Sequence, residues 1–186
     1  VERKYNGPAR ISGSAGTGKT VVALHRAVHL ARERPDSRIL LTTFSKTLAN
    51  ALRVKLGHLA GNESAVVDRI TVQSITGIAY DLYSQLFGQP NIASGALVNS
   101  LLAKAANEVE GHRFSTTFLS AEWSDVVDAW QIVTWEGYRD VSRLGRKTRI
   151  GGKQREILWS IFESVRSGLA DRKVTTWSGV FGRLAS

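Results

Sequence analysis

The sequence predicts an α/β protein, with a small parallel sheet in its first part and an all-helical second part. In the first part, short apolar runs alternate with stretches whose apolar residues recur at helical spacing. That alternation is typical of a parallel sheet with right-handed crossovers. From about residue 88 the strand signals stop and only helical spacing remains. We therefore expect a parallel sheet with its helices over residues 1–88 and a helical subdomain over residues 89–186.

Composition excludes several classes of protein. Hydrophobic residues make up 42% of the 186 and charged residues 22%, as in an ordinary globular protein. Cysteine is absent, which excludes disulfides, thiolate metal sites and a cysteine nucleophile, and which fits a reducing compartment. Neither a run of about eighteen apolar residues nor a secretory signal is visible. We expect a cytoplasmic location and no membrane partner.

The charge balance indicates a polyanionic partner. The formal net charge is +9, and the excess is spread over both halves of the chain. A basic surface of this kind favours nucleic acid. A generally basic soluble protein is the alternative, and charge alone does not decide between the two.

Residues 13–20 fit the pattern G-x-x-x-x-G-K-[ST], whose backbone N–H groups bind the phosphates of a nucleoside triphosphate. Lys19 is expected to contact the outer phosphates and the Thr20 hydroxyl to ligate Mg²⁺. A strand is predicted at residues 9–12 and a helix at 18–34, which together favour a nucleotide site over a chance glycine-rich turn. The nucleotide-binding residues are predicted to be Gly13, Ser14, Ala15, Gly16, Thr17, Gly18, Lys19 and Thr20. The buried stripe of the helix is predicted to be Val21, Leu24, Val28 and Ala31.

Two further strand–helix pairs follow. Residues 38–43 form a near-continuous apolar run, as in a parallel strand buried on both faces, and residues 68–72 form the third strand. The helices after them carry two predicted stripes: Leu48, Ala51, Leu52, Leu56 and Leu59, then Ile75, Ile78, Ala79, Leu82 and Leu86. Ligands of such sheets lie beyond the carboxyl ends of the strands. The loops at 13–18, 43–46 and 72–74 therefore belong to one functional edge.

The helical part shows four apolar stripes at helical spacing, with Ser120 as the N-cap of the second. They are Leu97, Leu101, Leu102, Ala105 and Val109; Trp123, Val126, Val127 and Trp130; Leu158, Ile161, Phe162, Val165 and Leu169; and Trp177, Val180, Phe181 and Leu184. All five tryptophans lie in this part. Core packing is the default interpretation for most of them, and base stacking is the alternative.

Residues 143–155 hold six positive charges, three glycines and no negative charge. We expect a flexible basic loop that tracks a phosphate backbone, with Arg146, Lys147 and Arg149 as contacts. A solvated connection between helices is the alternative.

Three elements together resemble the UvrD/Rep-type superfamily 1 DNA helicases. The phosphate loop at 15–20 matches the family's A-G-[ST]-G-K-T. Residues 39–49 resemble the second element, a strand ending in Thr-Phe-Thr-Asn-Lys-Ala-Ala or similar. Residues 71–75 resemble the third, usually Thr-x-His-Ser-Phe. The resemblance covers the whole chain in layout and roughly the first ninety residues in motif.

The resemblance implies a RecA-like P-loop NTPase domain with a helical insertion, and a 3′-to-5′ ATP-dependent helicase or translocase as the parent protein. It implies ATP and Mg²⁺ at residues 13–20. It also implies contacts to single-stranded DNA, with duplex junctions as a further possible partner. The residues that it assigns to the strand are Thr43, Phe44, Ser45, Lys46, Thr71, Gln73 and Ser74. The chemistry agrees, because aromatic faces, hydroxyls and a cation form a sequence-tolerant platform.

The sequence departs from the family pattern at several points. Gln73 stands where the family usually has His, and Ile75 stands where it has Phe. The family's upstream glutamine element, its Asp-Glu-x-x-Asp strand and its second RecA-like domain do not occur in these residues. We expect an incomplete sheet, an N-terminal piece of a longer helicase, and little or no ATP hydrolysis by the piece itself.

Two other functions stay open at this point. One is an unrelated P-loop enzyme, such as a small-molecule kinase or a GTPase, and hydrolysis or phosphotransfer by this chain alone would favour it. The other is a non-catalytic nucleic-acid-binding module with a relic phosphate loop, whose DNA binding would ignore both ATP and Lys19→Ala. Fold alone does not choose among these.

Overall fold

The computed structural model describes residues 3–5, 7–142 and 150–186. They divide into two compact units, Val1–Ile78 and Ala79–Ser186, and the division falls within one helix. The predicted contacts Arg146, Lys147 and Arg149 lie outside the described residues. Within the described residues, no helix has both the length and the apolar character that crossing a membrane needs.

The first unit is a two-stranded parallel sheet with helices packed on it. Strands β1 and β2 pair in parallel with Ile39 opposite Ile70 and Thr43 opposite Ser74. The elements in order are α1 (Lys19–Glu33), β1 (Ile39–Thr43), α2 (Lys46–Ala60), α3 (Ser64–Val67), β2 (Ile70–Ser74) and α4 (Ile75–Phe87). The parallel pairing confirms that the loops after these two strands share one edge of the sheet.

The core of the first unit lies between α1, α2 and one face of the sheet. Five of its buried residues were predicted from the stripes: Leu24, Val28, Ala31, Leu52 and Leu56. The others are Ala27, Ala49 and Val66 from the helices and Ile70 and Val72 from β2. Several members are alanines, which allow the helices to approach closely. Six other members of the stripes predicted for α1, α2 and α4 are exposed instead, and they are Val21, Leu48, Ala51, Ile75, Leu82 and Leu86.

The predicted strand at residues 9–12 is wrong. These residues pair with no strand in the described part of the chain, and all four are exposed. The segment has one large apolar side chain, Ile11, and Pro8 just before it lacks a backbone donor. So short a segment buries too little apolar surface to fix its backbone as a strand without a partner.

The prediction that the run at 38–43 is buried on both faces is also wrong. Burial alternates along β1, and Leu40 is 53% exposed. Among the described residues, only one face of the two-stranded sheet is covered by helices. The uncovered face carries Leu40, Thr42 and Thr71.

The second unit is all-helical, as the sequence predicts. Its elements after α4 are α5 (Gly95–Glu108), α6 (Thr116–Glu122), a π-helix (Trp123–Asp128), α7 (Trp135–Asp140), α8 (Gly152–Asp171) and α9 (Trp177–Ala185). Helix α8 supplies the centre of the core, because Leu158, Ile161, Phe162 and Val165 have no measurable exposure. The aromatic rings of Trp123 and Tyr138 pack against Phe162, with ring centroids 6.0 and 5.7 Å away.

Two details of the second stripe differ from prediction. The N-cap is Ser115, whose hydroxyl accepts from the Phe118 N–H, while Ser120 lies within α6 and donates to Asn99. Trp130 is 74% exposed, because the helical turns end at Asp128 and Trp130 lies beyond them in a turn.

Candidate nucleotide and nucleic-acid site

The phosphate loop adopts the backbone shape that its glycines permit. Gly16 and Gly18 have φ of 80° and 79°, a region that side chains with a Cβ rarely adopt. Gly13 lies so close to Thr17 that an added Cβ would be 2.7 Å from the Thr17 hydroxyl oxygen. The Thr17 hydroxyl in turn donates to the Ser14 carbonyl at 2.9 Å. The loop is therefore closed on itself before helix α1 begins.

Lys19 folds back over this loop. Its ammonium donates to the carbonyls of Gly13 at 2.8 Å and Ser14 at 2.5 Å, and it lies 3.4 Å from the Thr17 hydroxyl. The positive charge is thus held at the loop itself and does not extend into solvent. An anion that enters the loop meets this charge at once.

Helix α1 presents its N-terminus to the same place. Gly18 is the N-cap and has no side chain, so the first N–H groups of the helix remain for an anion. Thr20 lies exposed in this first turn. Its hydroxyl fits Mg²⁺, which commonly takes one or two protein oxygens together with phosphate oxygens and water. Among the described residues, no group of three or more His, Cys, Asp or Glu is arranged to hold a metal.

The ends of β1 and β2 lie side by side at the sheet edge. Thr43 and Ser74 are register partners at the last position of the two strands. The segment of Phe44, Ser45 and Lys46, which follows β1, therefore starts level with the end of β2. Phe44 is 93% exposed, which excludes a role as a core residue capping the strand. Lys46 is also exposed. An exposed aromatic ring and an exposed cation two residues apart in the chain are available to a ligand.

Two predicted contact residues use their hydroxyls within the protein. The Ser45 hydroxyl accepts from the Leu48 N–H at 3.2 Å and is the N-cap of α2. Ser74 is 5% exposed, and its hydroxyl accepts from the Gly77 N–H at 3.2 Å at the start of α4. Both serines therefore shape the helix N-termini at this edge.

The remaining two predicted residues lie further from the edge. Gln73 is half-buried and packs against Gly77, where an added Cβ would be 3.0 Å from the Gln73 amide nitrogen. Thr71 is exposed on the uncovered face of the sheet. It lies three residues before the end of β2, or about 10 Å along the strand. The structure groups Phe44 and Lys46 at the edge and leaves Thr71 apart from them.

The electrostatics of this edge favour anions. The first turns of α1, α2 and α4 contain no acidic residue, although acidic residues are common at that position in helices. Carboxylates of the unit lie elsewhere: Glu63 pairs with Arg32 at 3.0 and 2.5 Å, and Glu33 with Lys4 at 2.7 Å. The hydrogen bond from Arg32 lowers the pKa of Glu63, and the one from Lys4 lowers the pKa of Glu33. Both carboxylates stay charged at neutral pH and are occupied by cations.

Sequence reasoning missed two arginines that hold β2 in place. Arg53 of α2 donates to the Val72 carbonyl at 2.7 Å and to the Asn50 side chain at 2.9 Å. Arg69 donates to the Ala31 carbonyl in the last turn of α1 at 2.7 Å. Helical spacing gave no signal for Arg53, because it belongs to no apolar stripe.

The sequence of this chain is similar to those of known proteins. The family model described as UvrD/REP helicase N-terminal domain matches residues 1–158. The ATP-dependent DNA helicases PcrA of two Staphylococcus epidermidis strains, RP62A and ATCC 12228, are each 36% identical to this chain over 75 residues. That stretch is 39% of this chain and 10% of each relative. The matched stretch thus spans about a tenth of the curated relatives.

Proposed function

The chain belongs to the UvrD/Rep helicase family, and we propose that it forms the ATP-binding part of an ATP-dependent DNA helicase. In this proposal the first unit is a RecA-like P-loop domain. ATP and Mg²⁺ bind at residues 13–20, and one DNA strand crosses the sheet edge at Phe44 and Lys46. Translocation from 3′ to 5′ is part of the proposal, as is a helical insertion over residues 89–186.

The observation that carries the proposal is the arrangement of Lys19 on its loop. A charged amine on two loop carbonyls, two left-handed glycines and an uncapped helix N-terminus together form a site for a phosphate chain. Phosphate oxygens would compete with the Gly13 and Ser14 carbonyls for the Lys19 ammonium.

The DNA part of the proposal rests on the sheet edge. Phe44 offers a flat apolar face to an unpaired base, and Lys46 offers a charge to the backbone. Ser45 and Ser74 contribute through the helix N-termini that they cap, whose N–H groups favour phosphate oxygens. We also propose that the basic residues Arg146, Lys147 and Arg149 contact the DNA backbone.

We expect these 186 residues by themselves to hydrolyse ATP slowly. Phosphoryl transfer needs a carboxylate that holds Mg²⁺ and a group that positions water. The sequence of 186 residues contains no Asp-Glu pair of the family's kind. Binding of nucleotide, and not turnover, is therefore the suitable readout.

Calorimetric titration with a non-hydrolysable ATP analogue and Mg²⁺ tests the nucleotide site. We expect Lys19→Ala to weaken binding by about tenfold or more, because a hydrogen bond to a charged group contributes about 1.5–3 kcal/mol. Lys55→Ala removes an exposed lysine of α2 in the same unit and is the matched control. Equal affinity for the wild type and Lys19→Ala would reject the nucleotide site.

A further inference from the structure

Strand β2 has a buried backbone acceptor on the side that faces away from β1. The Ile39 N–H donates to the Arg69 carbonyl at 2.9 Å, so the Arg69 carbonyl points toward β1. Because alternate residues of a parallel strand bond to the same neighbour, the Val72 carbonyl points to the other side. Among the described residues, no strand lies on that side. Val72 is 3% exposed, so its carbonyl needs another partner within the protein.

Arg53 of α2 is that partner. Its guanidinium donates from Nη2 to the Val72 carbonyl at 2.7 Å and from Nη1 to the Asn50 side-chain oxygen at 2.9 Å. Asn50 lies one turn earlier on the same helix, so the second bond fixes the direction of the guanidinium. Hydrogen bonds from a charged donor are roughly twice as strong as neutral ones. Helix α2 is thus bound to the edge of β2 at one defined point.

The apolar contacts of α2 define its position along the strand less sharply. The helix packs in the core through Ala49, Leu52 and Leu56. Burial of apolar surface is non-directional, whereas a hydrogen bond weakens steeply as its angle departs from linear. The bond from Arg53 therefore determines how far α2 lies along β2.

The N-terminus of α2 carries the proposed DNA contacts. The Ser45 hydroxyl caps the helix, which joins the segment at residues 44–46 to its first turn. Arg53 follows Lys46 by seven residues, or about 10 Å along the helix. Its bond ends on Val72, two residues before the end of β2, or about 7 Å along the strand. A bond that fixes α2 on β2 therefore also fixes the segment at 44–46 beside the end of β2.

We propose that Arg53 is a positioning residue for single-stranded DNA, which holds the Phe44 ring at the place where a base stacks. The inference deepens the proposed function and rests on it. Arg53 acts through α2 and not by contact with DNA. Stacking depends on direct contact, whereas the charge of Lys46 acts over a longer distance. A small shift of α2 should therefore weaken the stack more than it weakens the attraction between Lys46 and the DNA backbone.

Arg69 offers a matched comparison in the same unit. It donates to the Ala31 carbonyl at 2.7 Å, so it has the same charge and makes the same kind of bond as Arg53. It lies directly before β2, at the opposite end of the strand from Ser74, or about 17 Å away along the strand. The bond from Arg69 therefore holds β2 at a place remote from the proposed DNA contacts.

Fluorescence anisotropy with a labelled thymidine oligomer tests the proposal. Arg53→Met keeps the length of the side chain and removes its donors. We expect it to weaken binding by about 3- to 30-fold, less than the about 5- to 150-fold for a whole lost stack. Arg53→Lys, which keeps the charge and a donor, should lie between Arg53→Met and the wild type. Arg69→Met should bind as the wild type does, and circular dichroism checks that each variant is folded at the assay temperature.

Two further readouts separate positioning from direct contact. In a Phe44→Ala background, Arg53→Met should cause little additional loss of affinity, because the ring that Arg53 positions is absent. The dependence of affinity on salt concentration should be the same for the wild type and Arg53→Met. Loss of a direct phosphate contact would instead reduce the salt slope by about one.

Four results would overturn the proposal. One is equal affinity of the wild type and Arg53→Met for the oligomer. Another is an equal loss for Arg53→Met and Arg69→Met, which would indicate a general effect of charge or stability. The third is a loss in the Phe44→Ala background as large as in the wild type, and the fourth is a reduced salt slope. If the wild type binds no oligomer at all, the proposed function itself fails, whereas binding that ignores residue 53 removes only this inference.

Discussion

The two units build their cores from apolar residues of different size. In the second unit, α8 places four large side chains in a core that solvent does not reach, and rings from neighbouring elements close around them. In the first unit, alanines fill much of the helix interface, and one face of the sheet and the ring of Phe44 stay exposed. A protein binds ligands only through groups that it leaves accessible. We therefore expect stability to depend most on the core of the second unit, and we propose the sheet edge of the first unit as the place where ligands bind.

The largest expected effect is on the core of the second unit. Phe162→Ala should lower the free energy of unfolding by about 3–5 kcal/mol, because it opens a cavity in a fully buried site. Urea denaturation followed by tryptophan fluorescence measures this unit alone, since all five tryptophans lie in it. Val133→Ala, at a position 60% exposed, should change stability by less than about 0.5 kcal/mol. An unchanged midpoint for Phe162→Ala would mean that the core is not packed as described.

Phe44→Ala should show the opposite result to Phe162→Ala, with weaker DNA binding and unchanged stability. We expect single-stranded DNA affinity to fall by about 1–3 kcal/mol, the usual scale for a lost base–aromatic stack. Stability should not change, because the Phe44 side chain is 93% exposed. Leu40→Ala is the control, since Leu40 is also exposed but lies on the face of the sheet. Unchanged affinity in a folded Phe44→Ala variant would remove Phe44 from the site.

The smallest effect concerns an exposed ion pair of the first unit. The hydrogen bond from Arg32 lowers the pKa of Glu63 below its ordinary value of 4.5. A carboxylate with a lowered pKa stabilises the fold above its ordinary pKa, and this stabilisation is lost as the pH falls through the lowered value. Wild type should therefore exceed Glu63→Gln in stability at neutral pH, with the difference disappearing in acid. Denaturation followed by far-ultraviolet circular dichroism checks this.

Exposure to solvent limits the size of this effect, since the pair is screened. Asp36→Asn, at another exposed carboxylate of the first unit, is the matched control for the loss of one negative charge. A Glu63→Gln variant as stable as the wild type at every pH would mean that the pair contributes nothing.

The sequence predicted those parts of the fold that local pattern controls. The helix after the phosphate loop runs from Lys19 to Glu33, close to the predicted 18–34, and the stripe on α8 is buried as expected. The parallel order of the two strands also follows from the crossover pattern. These features depend on periodicity and on turn residues within one segment.

The failures share a different cause, which is that burial depends on neighbours. A strand at residues 9–12 would need a neighbouring strand to pair with. Burial of Leu40 would need another element on the uncovered face of the sheet. Trp130 fits a helical stripe in spacing, but the helical turns end two residues earlier. For the site, the glycine and lysine positions were predictable. The sequence alone did not predict that Ser45 and Ser74 cap helices, or that Arg53 donates a hydrogen bond to the Val72 carbonyl.

The central claim is that the phosphate loop and the sheet edge work together as one nucleotide-controlled DNA site. The most direct test is anisotropy of a labelled single strand with and without a non-hydrolysable ATP analogue and Mg²⁺, on wild type and Lys19→Ala. We predict that the nucleotide changes the DNA affinity of the wild type and leaves that of Lys19→Ala unchanged. A strand that binds equally well in all four conditions, or a chain that binds nucleotide and no strand at low salt, would contradict the claim.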